Sequence, residues 1–368
     1  MELGRDPDRR EEAEGNLTAT TRPAQLLFTL ALVAGLLTVG GAAAAPPGKC
    51  TLARIAEWPV RPGRAQPIIE GTINGQKVGI MLDTGASRSI ILRSAADRLG
   101  LVRHNARGNR MIGIGGETDV ESVTIDELAI GTDVRRSWRV LVAGEQTFRG
   151  DVALILGEDM LRQSDVEFDL AHNAIRLYQA RDCDGVPLAY WTAEGTGVVE
   201  LGGIFAAGPA LELAVEINGR PVDAILDSGA SSSVLTLSRA AALGVTPASA
   251  GVVAAGCSRG LGEKPIEVWL GSFESFRIGD ELIRDPTIGF SDIWKFSTFR
   301  TSGSLISKRP SGRPDMLLGA DFLRSHRVLI AHSQRKMYFT YAGGTVFPAS
   351  VAKPCAEAAP SGASPGTN

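Results

Sequence analysis

Two short segments of this 368-residue chain carry the residues best suited to chemistry. In each, a run of apolar residues ends in an aspartate, followed by a small hydroxyl residue and Gly-Ala-Ser. They are Met81-Leu82-Asp83-Thr84-Gly85-Ala86-Ser87 and Ile225-Leu226-Asp227-Ser228-Gly229-Ala230-Ser231. A carboxylate at the end of a buried strand is costly unless it is paired, hydrogen-bonded or put to use. A glycine turn beyond it would project the side chain into a protected cleft. There, backbone N–H groups and the Thr84 or Ser228 hydroxyl can hydrogen-bond around it. Two carboxylates sharing one site cannot both ionise easily, so they hold one proton between them. That state suits general acid–base chemistry on a bound water.

The elements that must position these aspartates occur twice. Residues 70–101 and 214–245 align at a fixed offset of 144. Ile73-Asn74-Gly75 recurs as Ile217-Asn218-Gly219, Leu82-Asp83 as Leu226-Asp227, Gly85-Ala86-Ser87 as Gly229-Ala230-Ser231, and Leu99-Gly100 as Leu243-Gly244. Further along, Leu156-Gly157-Glu158-Asp159-Met160-Leu161-Arg162 recurs as Leu318-Gly319-Ala320-Asp321-Phe322-Leu323-Arg324. The second copy holds about 18 more residues between its two blocks, expected in the Ser- and Gly-rich stretch around Phe290–Arg313. A repeat of this length predicts two similar units.

Each copy reads as mainly β. In the first, Asn74-Gly75 is a strong hairpin turn between two short strands, the second of which (Lys77–Leu82) runs into Asp83. Arg93–Leu99 has helical spacing and stops at Gly100. A glycine-rich hairpin follows at 111–118, then strands over Val120–Ile130 and Arg139–Val142. Leu154–Gly157 leads into a short helix, and Val166–Tyr178 is a hairpin turning near His172-Asn173. The second copy repeats this order. The 43 glycines also fit many strands and tight turns better than a helical bundle.

With these residues in view, the sequence resembles the aspartic peptidase superfamily, whose signature is the Asp-Thr/Ser-Gly motif. Ala86 and Ala230 make it more similar to the retroviral-type branch than to the pepsin branch. Two further elements of that family match. Ile155-Leu156-Gly157 and Leu317-Leu318-Gly319 look like the apolar pair before glycine that packs beneath the motif. Met111-Ile112-Gly113-Ile114-Gly115-Gly116 is similar to the retroviral flap, whereas the second-copy stretch around Gly256 and Cys257 is a poorer match. The resemblance covers residues 65–180 and 208–345. It implies an all-β fold with a few short helices, in which two acid-protease-type β-barrel lobes are related by pseudo-twofold symmetry around the active site.

The resemblance implies an endopeptidase in which Asp83 and Asp227 activate a water molecule, with no metal, cofactor or covalent intermediate. Thr84, Gly85, Ala86, Ser228, Gly229 and Ala230 would support the carboxylates. Ile112, Gly113, Ile114, Gly115, Gly116 and Gly256 would cover a polypeptide substrate, and Leu156, Gly157, Leu318 and Gly319 would pack below. Since Ala86 and Ala230 lack a hydroxyl to hydrogen-bond the charged form, activity is expected to peak in mildly acidic conditions. A different class of function is a catalytically silent peptide-binding module that kept the fold. Intact aspartates in both copies favour the enzyme; the weak second flap leaves room for the module.

Bulk properties set the boundaries. About 44% of residues are hydrophobic and 21% charged, ample for a core, and the net charge of -3 with no dense basic block gives no sign of a nucleic-acid partner. Residues 1–25 are polar, and Leu26 to Ala45 form an apolar run ending in small residues. This looks like a secretory signal, with an uncleaved anchor helix as the rival reading. Either places the remainder outside the cytoplasm, periplasmic or secreted. The polar leader is long for a signal, which fits a start further downstream. No pro-segment is evident before Cys50. The expected layout is 1–45 leader and signal, 46–181 first lobe, 182–207 linker, 208–348 second lobe and 349–368 flexible tail. With both copies in one chain, a monomer suffices.

Four cysteines form no CxxC pair and the four histidines are scattered, so a zinc site is not expected. An even count in an exported chain favours disulfides. Cys50 and Cys183 bracket the first copy and would tie it off, which leaves Cys257 and Cys355 as the second pair; free buried thiols are the alternative. Ser87, Ser89, Ser231 and Ser233 read as turn or capping groups, and Asp159 and Asp321 as ordinary charges at short-helix N-termini. His326 and His332 flank an apolar strand and read as surface or edge residues.

Overall fold

The computed structural model describes residues 49–144, 150–192, 195–202, 210–297, 299–300, 307–308, 313–349 and 355. The chain divides into two units, Met1–Ala45 and Pro46–Asn368. The first unit, with the expected leader and apolar run, lies outside the described residues, as does nearly all of the expected tail.

Strands dominate the second unit, and its α-helices are only four to six residues long. The duplication is visible strand for strand. Ile68–Ile73 turns at Asn74-Gly75 into Gln76–Leu82, and Glu212–Ile217 turns at Asn218-Gly219 into Arg220–Leu226. Both central residues of each turn have positive φ (49° and 77°, 51° and 68°). A two-residue turn of that kind matches the twist of the flanking strands, and Asn-Gly tolerates it best.

In the first copy, Gln76–Leu82 pairs in parallel with Val152–Leu156; in the second, Arg220–Leu226 pairs in parallel with Met316–Leu318. A strand covered on both faces reads as continuously apolar. Val152–Leu156 and Met316–Leu318 are accordingly buried at every position. The first copy forms a seven-stranded sheet that closes back on itself, because Ile68–Ile73 also pairs with Gly116–Ile130. The second forms a nine-stranded sheet. Its additional residues fall between Thr287–Ser291 and Met316–Leu318 and include the pairing of Phe299–Arg300 with Ser307–Lys308, in the stretch expected from the sequence.

A six-stranded sheet joins the copies, in the order Thr51–Pro59, Ala174–Arg181, Asp165–Asp169, His326–Ala331, Lys336–Tyr341, Gly197–Glu200. Its two central strands, one from each copy, pair antiparallel with Val328 opposite Phe168. The pseudo-twofold axis passes between them. One continuous core runs through both copies, with Ile80, Leu82, Phe168, Phe290 and Phe322 fully buried.

Two readings of the sequence are corrected here. The 182–207 segment is more than a linker: Gly197–Glu200 is the outer strand of the joining sheet, in the place that Thr51–Pro59 takes for the first copy. Its Trp191 is also fixed, donating from the indole to Thr340 Oγ1 at 2.9 Å, with Arg327 stacked 4.7 Å from the ring. Nor is His326 a surface residue. It is fully buried, stacked on Phe322, with Nε2 3.0 Å from Glu281 Oε1 and Nδ1 2.9 Å from the Phe322 carbonyl. The strand it begins lies at the centre of a sheet rather than at an edge, so both its faces are covered. His332, at the other end, has its ring almost enclosed beside Glu158.

Both expected bridges are present, Cys50–Cys183 and Cys257–Cys355. No cysteine among the described residues is free.

Candidate active site

Asp83 and Asp227 are each held at the tip of a buried strand by the neighbouring parallel one. The Asp83 N–H donates to the Leu156 carbonyl and the Asp227 N–H to the Leu318 carbonyl, both at 2.9 Å. Leu156-Gly157 and Leu318-Gly319 therefore sit where the sequence placed them, beneath the motif. The glycines are required by close approach. A Cβ on Gly157 would come within 2.6 Å of the Ala86 carbonyl oxygen, and one on Gly319 within 2.6 Å of the Ser232 backbone.

Beyond each aspartate the chain turns and lays its N–H groups on the carboxylate. Gly85 and Ala86 donate to Asp83 Oδ1 at 2.9 and 3.1 Å, and Ala230 donates to Asp227 Oδ1 at 3.0 Å. The two turns meet face to face. A Cβ on Gly85 would lie 2.5 Å from the Asp227 Cγ, and one on Gly229 would lie 2.4 Å from the Asp83 Cγ. Only glycine leaves room for each carboxyl group against the opposite turn, and the two side chains hydrogen-bond to each other.

Thr84 and Ser228 lock this meeting. Both are buried, and the bonds they make cross between the copies rather than closing their own turns. Thr84 Oγ1 donates to the Leu226 carbonyl at 2.7 Å and accepts from Ser228 N–H at 3.0 Å; Ser228 Oγ donates to the Leu82 carbonyl at 2.8 Å and accepts from Thr84 N–H at 3.0 Å.

The carboxyl groups are half-buried and face a partly open cavity. Burial raises both above the ordinary aspartate range, by disfavouring the charged form. Asp83 is raised further, first by the charge of Asp227 and then by the hydrogen bond between them; for Asp227, backbone donors and that same bond work against the rise. The two carboxyl groups therefore disfavour double ionisation and share a proton as a pair.

The cavity above them has a volume of about 550 Å³ and takes its walls from both copies. Ile112, Gly113 and Ile114 line its roof; Gly115 and Gly116 form the bend of that hairpin, with φ of 87° and 115°. The first hairpin is tied to the second. Gly262 N–H donates to the Ile114 carbonyl at 2.9 Å, Lys264 N–H to the Gly115 carbonyl at 3.2 Å, and Ser297 Oγ to the Gly113 carbonyl at 2.7 Å. Gly256 is not in the wall; it marks a bulge in Val253–Ser258, with Ala255, Cys257 and Leu261 facing the cavity instead.

Sequence reasoning missed one pair of supports. Ser89 donates from both N–H (2.8 Å) and Oγ (2.6 Å) to Asp159, and Gly157 N–H donates to Ser89 Oγ at 3.0 Å. The second copy repeats this with Ser233, Asp321 and Gly319 at 2.8, 2.7 and 2.9 Å. Asp159 and Asp321 do stand in the first turns of Glu158–Leu161 and Ala320–Ser325, as expected, but with these serines they also bolt the motif turn to the strand beneath it. Their recurrence in register in both copies was the available signal.

A duplicated β fold with one Asp-Thr/Ser-Gly turn per copy, meeting at a shared cavity, defines an aspartic-peptidase-type site. Comparisons with known families bear on the same two segments. Residues 69–163 match the family described as "gag-polyprotein putative aspartyl protease", and residues 213–322 match the family described as "Aspartyl protease". The matched segments together take in more than half of the chain, which belongs to the retropepsin-like aspartic peptidase superfamily. Similar solved structures include an aspartic proteinase from Irpex lacteus, at 10% identity and a TM-score of 0.43, covering 78% of this chain and 97% of that one. Another is a retropepsin-like aspartic protease from Rickettsia conorii, at 19% identity and a TM-score of 0.25, covering 36% of this chain and 94% of that one. No curated protein matches the chain by sequence.

Proposed function

We propose that this protein is an aspartic endopeptidase that hydrolyses peptide bonds with a water molecule held between Asp83 and Asp227. The observation that carries the reading is the pair of carboxyl groups, one from each copy, hydrogen-bonded to each other at the floor of one cavity walled by both copies. Anionic Asp227 takes a proton from the water as its oxygen attacks the scissile carbonyl carbon. Asp83 gives its proton to the carbonyl oxygen, which leaves a tetrahedral diol. Collapse of the diol breaks the C–N bond: Asp227 returns its proton to the leaving nitrogen, and a diol hydroxyl proton goes back to Asp83. Each transfer would need the water and the scissile carbonyl within hydrogen-bonding reach of the pair, which is the geometric condition for general acid–base catalysis.

Substrate entry requires the hairpin roof to open, breaking the bonds between residues 113–115 and their partners at 262, 264 and 297. Closure over an extended peptide would then exclude water from the cavity. Two disulfides fit an oxidising compartment, so we place the protein outside the cytoplasm, exported through the apolar segment 26–45. Digestion of an unbiased peptide library by the purified protein, with and without pepstatin, tests the reading. Inhibitor-sensitive cleavage that disappears in Asp83→Asn supports it. Peptide binding without cleavage would instead favour the silent binding module.

A further inference from the structure

We propose that an arginine-lined groove leading off the catalytic cavity across the first copy binds an acidic stretch of the polypeptide substrate, beside the bond to be cut. The inference rests on the peptidase reading for the nature of the chain that would occupy it. The groove has a volume of about 750 Å³. Ser87, Arg88, Met111 and Ile112 line both the groove and the catalytic cavity, so the two spaces adjoin. A peptide that extends past these residues from the cavity would enter the groove.

The walls of the groove are cationic. Arg88 follows the Asp-Thr-Gly-Ala-Ser turn directly and is exposed; it makes no hydrogen bond or ion pair among the described residues. Arg139 is directed by Nε and Nη2 at the neutral Ser122 hydroxyl, 3.3 and 3.0 Å away. Arg110 pairs with Glu117 at 3.0 Å and with Asp119 at 3.5 Å, but its side chain is 64% exposed, and such pairs are weakly held. Among the described residues lining the groove the only carboxylate is Asp159, which is turned onto Ser89 N–H and Oγ. Arg88 and Arg139 form no ion pair among the described residues, so the arginines outnumber the groove's one carboxylate. Nearly buried Trp138 and half-buried Met111 give the groove an apolar floor for the stems of Asp or Glu side chains. A planar guanidinium binds carboxylate in a fork, which suits Arg88 and Arg139 to this ligand.

The second copy does not repeat the feature. Arg88 corresponds by offset to Ser232, and because Ile90 pairs with Leu141 as Val234 pairs with Gly289, Arg139 corresponds to Thr287. The second copy's Arg259 lines the cavity itself, but nothing at Ser232 or Thr287 answers Arg88 and Arg139, so the groove gives the cleft a direction: acidic residues are preferred on its side of the scissile bond.

The test uses full-length Asp83→Asn and fluorescently tagged peptides that share an apolar centre and carry an acidic, neutral or lysine-rich flank. Binding is read by anisotropy at two salt concentrations, in that protein and in the same protein with Arg88→Glu and Arg139→Glu added. The acidic peptide should bind about tenfold tighter than the neutral one at low salt, from a few exposed charge pairs acting together. The charge-reversed protein should lose that advantage and favour the lysine-rich peptide. Equal binding of the neutral peptide by both proteins shows that the cavity is intact. Equal binding of acidic and neutral peptides by the parent, or an acidic preference that survives the reversal, overturns the proposal. So does displacement by a single-stranded oligonucleotide where an untagged acidic peptide fails to compete. Acidic-peptide binding together with absence of any cleavage by the unmutated protein would sink the peptidase reading and leave the groove standing.

Discussion

Thr84 and Ser228 exchange hydroxyl-to-backbone hydrogen bonds across the two copies, four in all, between 2.7 and 3.0 Å. Every group in the set is buried, so removing one hydroxyl orphans a backbone N–H and a backbone carbonyl on the other side. Thr84→Val should destabilise the fold by about 2–6 kcal/mol, at 1–3 kcal/mol for each of the two orphaned groups. Ser228→Ala should do the same. The two should couple strongly, because they remove one shared network. Denaturant melts of the two single variants and the double variant check this; simple additivity would contradict it.

On the proposed mechanism, replacement of either the Asp83 or the Asp227 carboxyl should abolish turnover without unfolding the chain. Asp83→Asn and Asp227→Asn are each expected to lower kcat by at least about 100-fold, the lower range for loss of a positioned acid or base. Asp83 is raised in the fold, so its ionisation in the unfolded chain drains stability as pH climbs above the ordinary aspartate value. Asp83→Asn removes that linkage. At pH 7 it should melt no lower than the parent, whereas a large fall in melting temperature would show the pair to be held ionised.

The acid limb of the pH–rate profile should respond to residues 86 and 230. In both turns backbone N–H groups bind Oδ1, and the side chains of Ala86 and Ala230 add no donor. The optimum should therefore lie in mild acid. In Ala86→Ser with Ala230→Ser, a hydroxyl bonded to the anion should move the acid limb down by roughly half to one pH unit, the equivalent of about 1 kcal/mol. An unmoved limb would show that these positions do not face the anion.

Glu158 and His332 come from different copies and are buried side by side, Nε2 to Oε2 at 3.9 Å, with Glu158 Oε1 and His332 Nε2 lacking hydrogen-bond partners. Burial raises Glu158 to about 8 and lowers His332 to about 4. The raised carboxyl lowers stability as pH rises from its ordinary value toward 8. The lowered imidazole lowers stability as pH falls from its ordinary value toward 4. Between about 4.5 and 6.5 the two slopes oppose each other, so stability should be level there and decline toward pH 8. Glu158→Gln should remove the alkaline decline, and its margin over the parent should widen from pH 6.5 to 8. Because Glu158 N–H also donates to the Ala86 carbonyl at 2.8 Å, the same variant tests whether this pair affects the catalytic turn. Thermal melts across pH suffice.

Cys257 lines the cavity, and its bridge to Cys355 closes a sequence separation of 98 residues. In the chain-entropy view a loop of that size contributes about 4.7 kcal/mol, an upper figure for a real bridge. Cys257→Ser with Cys355→Ser should lower the melting temperature. It should also raise KM more than it lowers kcat, since the bridge holds a wall of the cavity and not the carboxyl pair. An unchanged KM would place the bridge outside substrate binding.

The sequence by itself determined the parts built from local pattern. Apolar strands ending at Asp83 and Asp227, Asn-Gly turns with positive φ, the Leu-Gly blocks and the glycine bend at 115–116 all follow from neighbours within a few residues. The internal repeat then required that the strand, the aspartate and the turn beyond it occur once in each copy. Only the tertiary structure decided which distant groups meet. It sorted Ser89 onto Asp159 and Thr84 onto Ser228, enclosed Glu158 with His332, drew Gly197–Glu200 into the joining sheet and buried His326 at its centre. Such contacts join residues 70 to more than 160 positions apart, and no local periodicity encodes them. A polar side chain reads alike at a turn and in a core until the strands on both sides of it are in place.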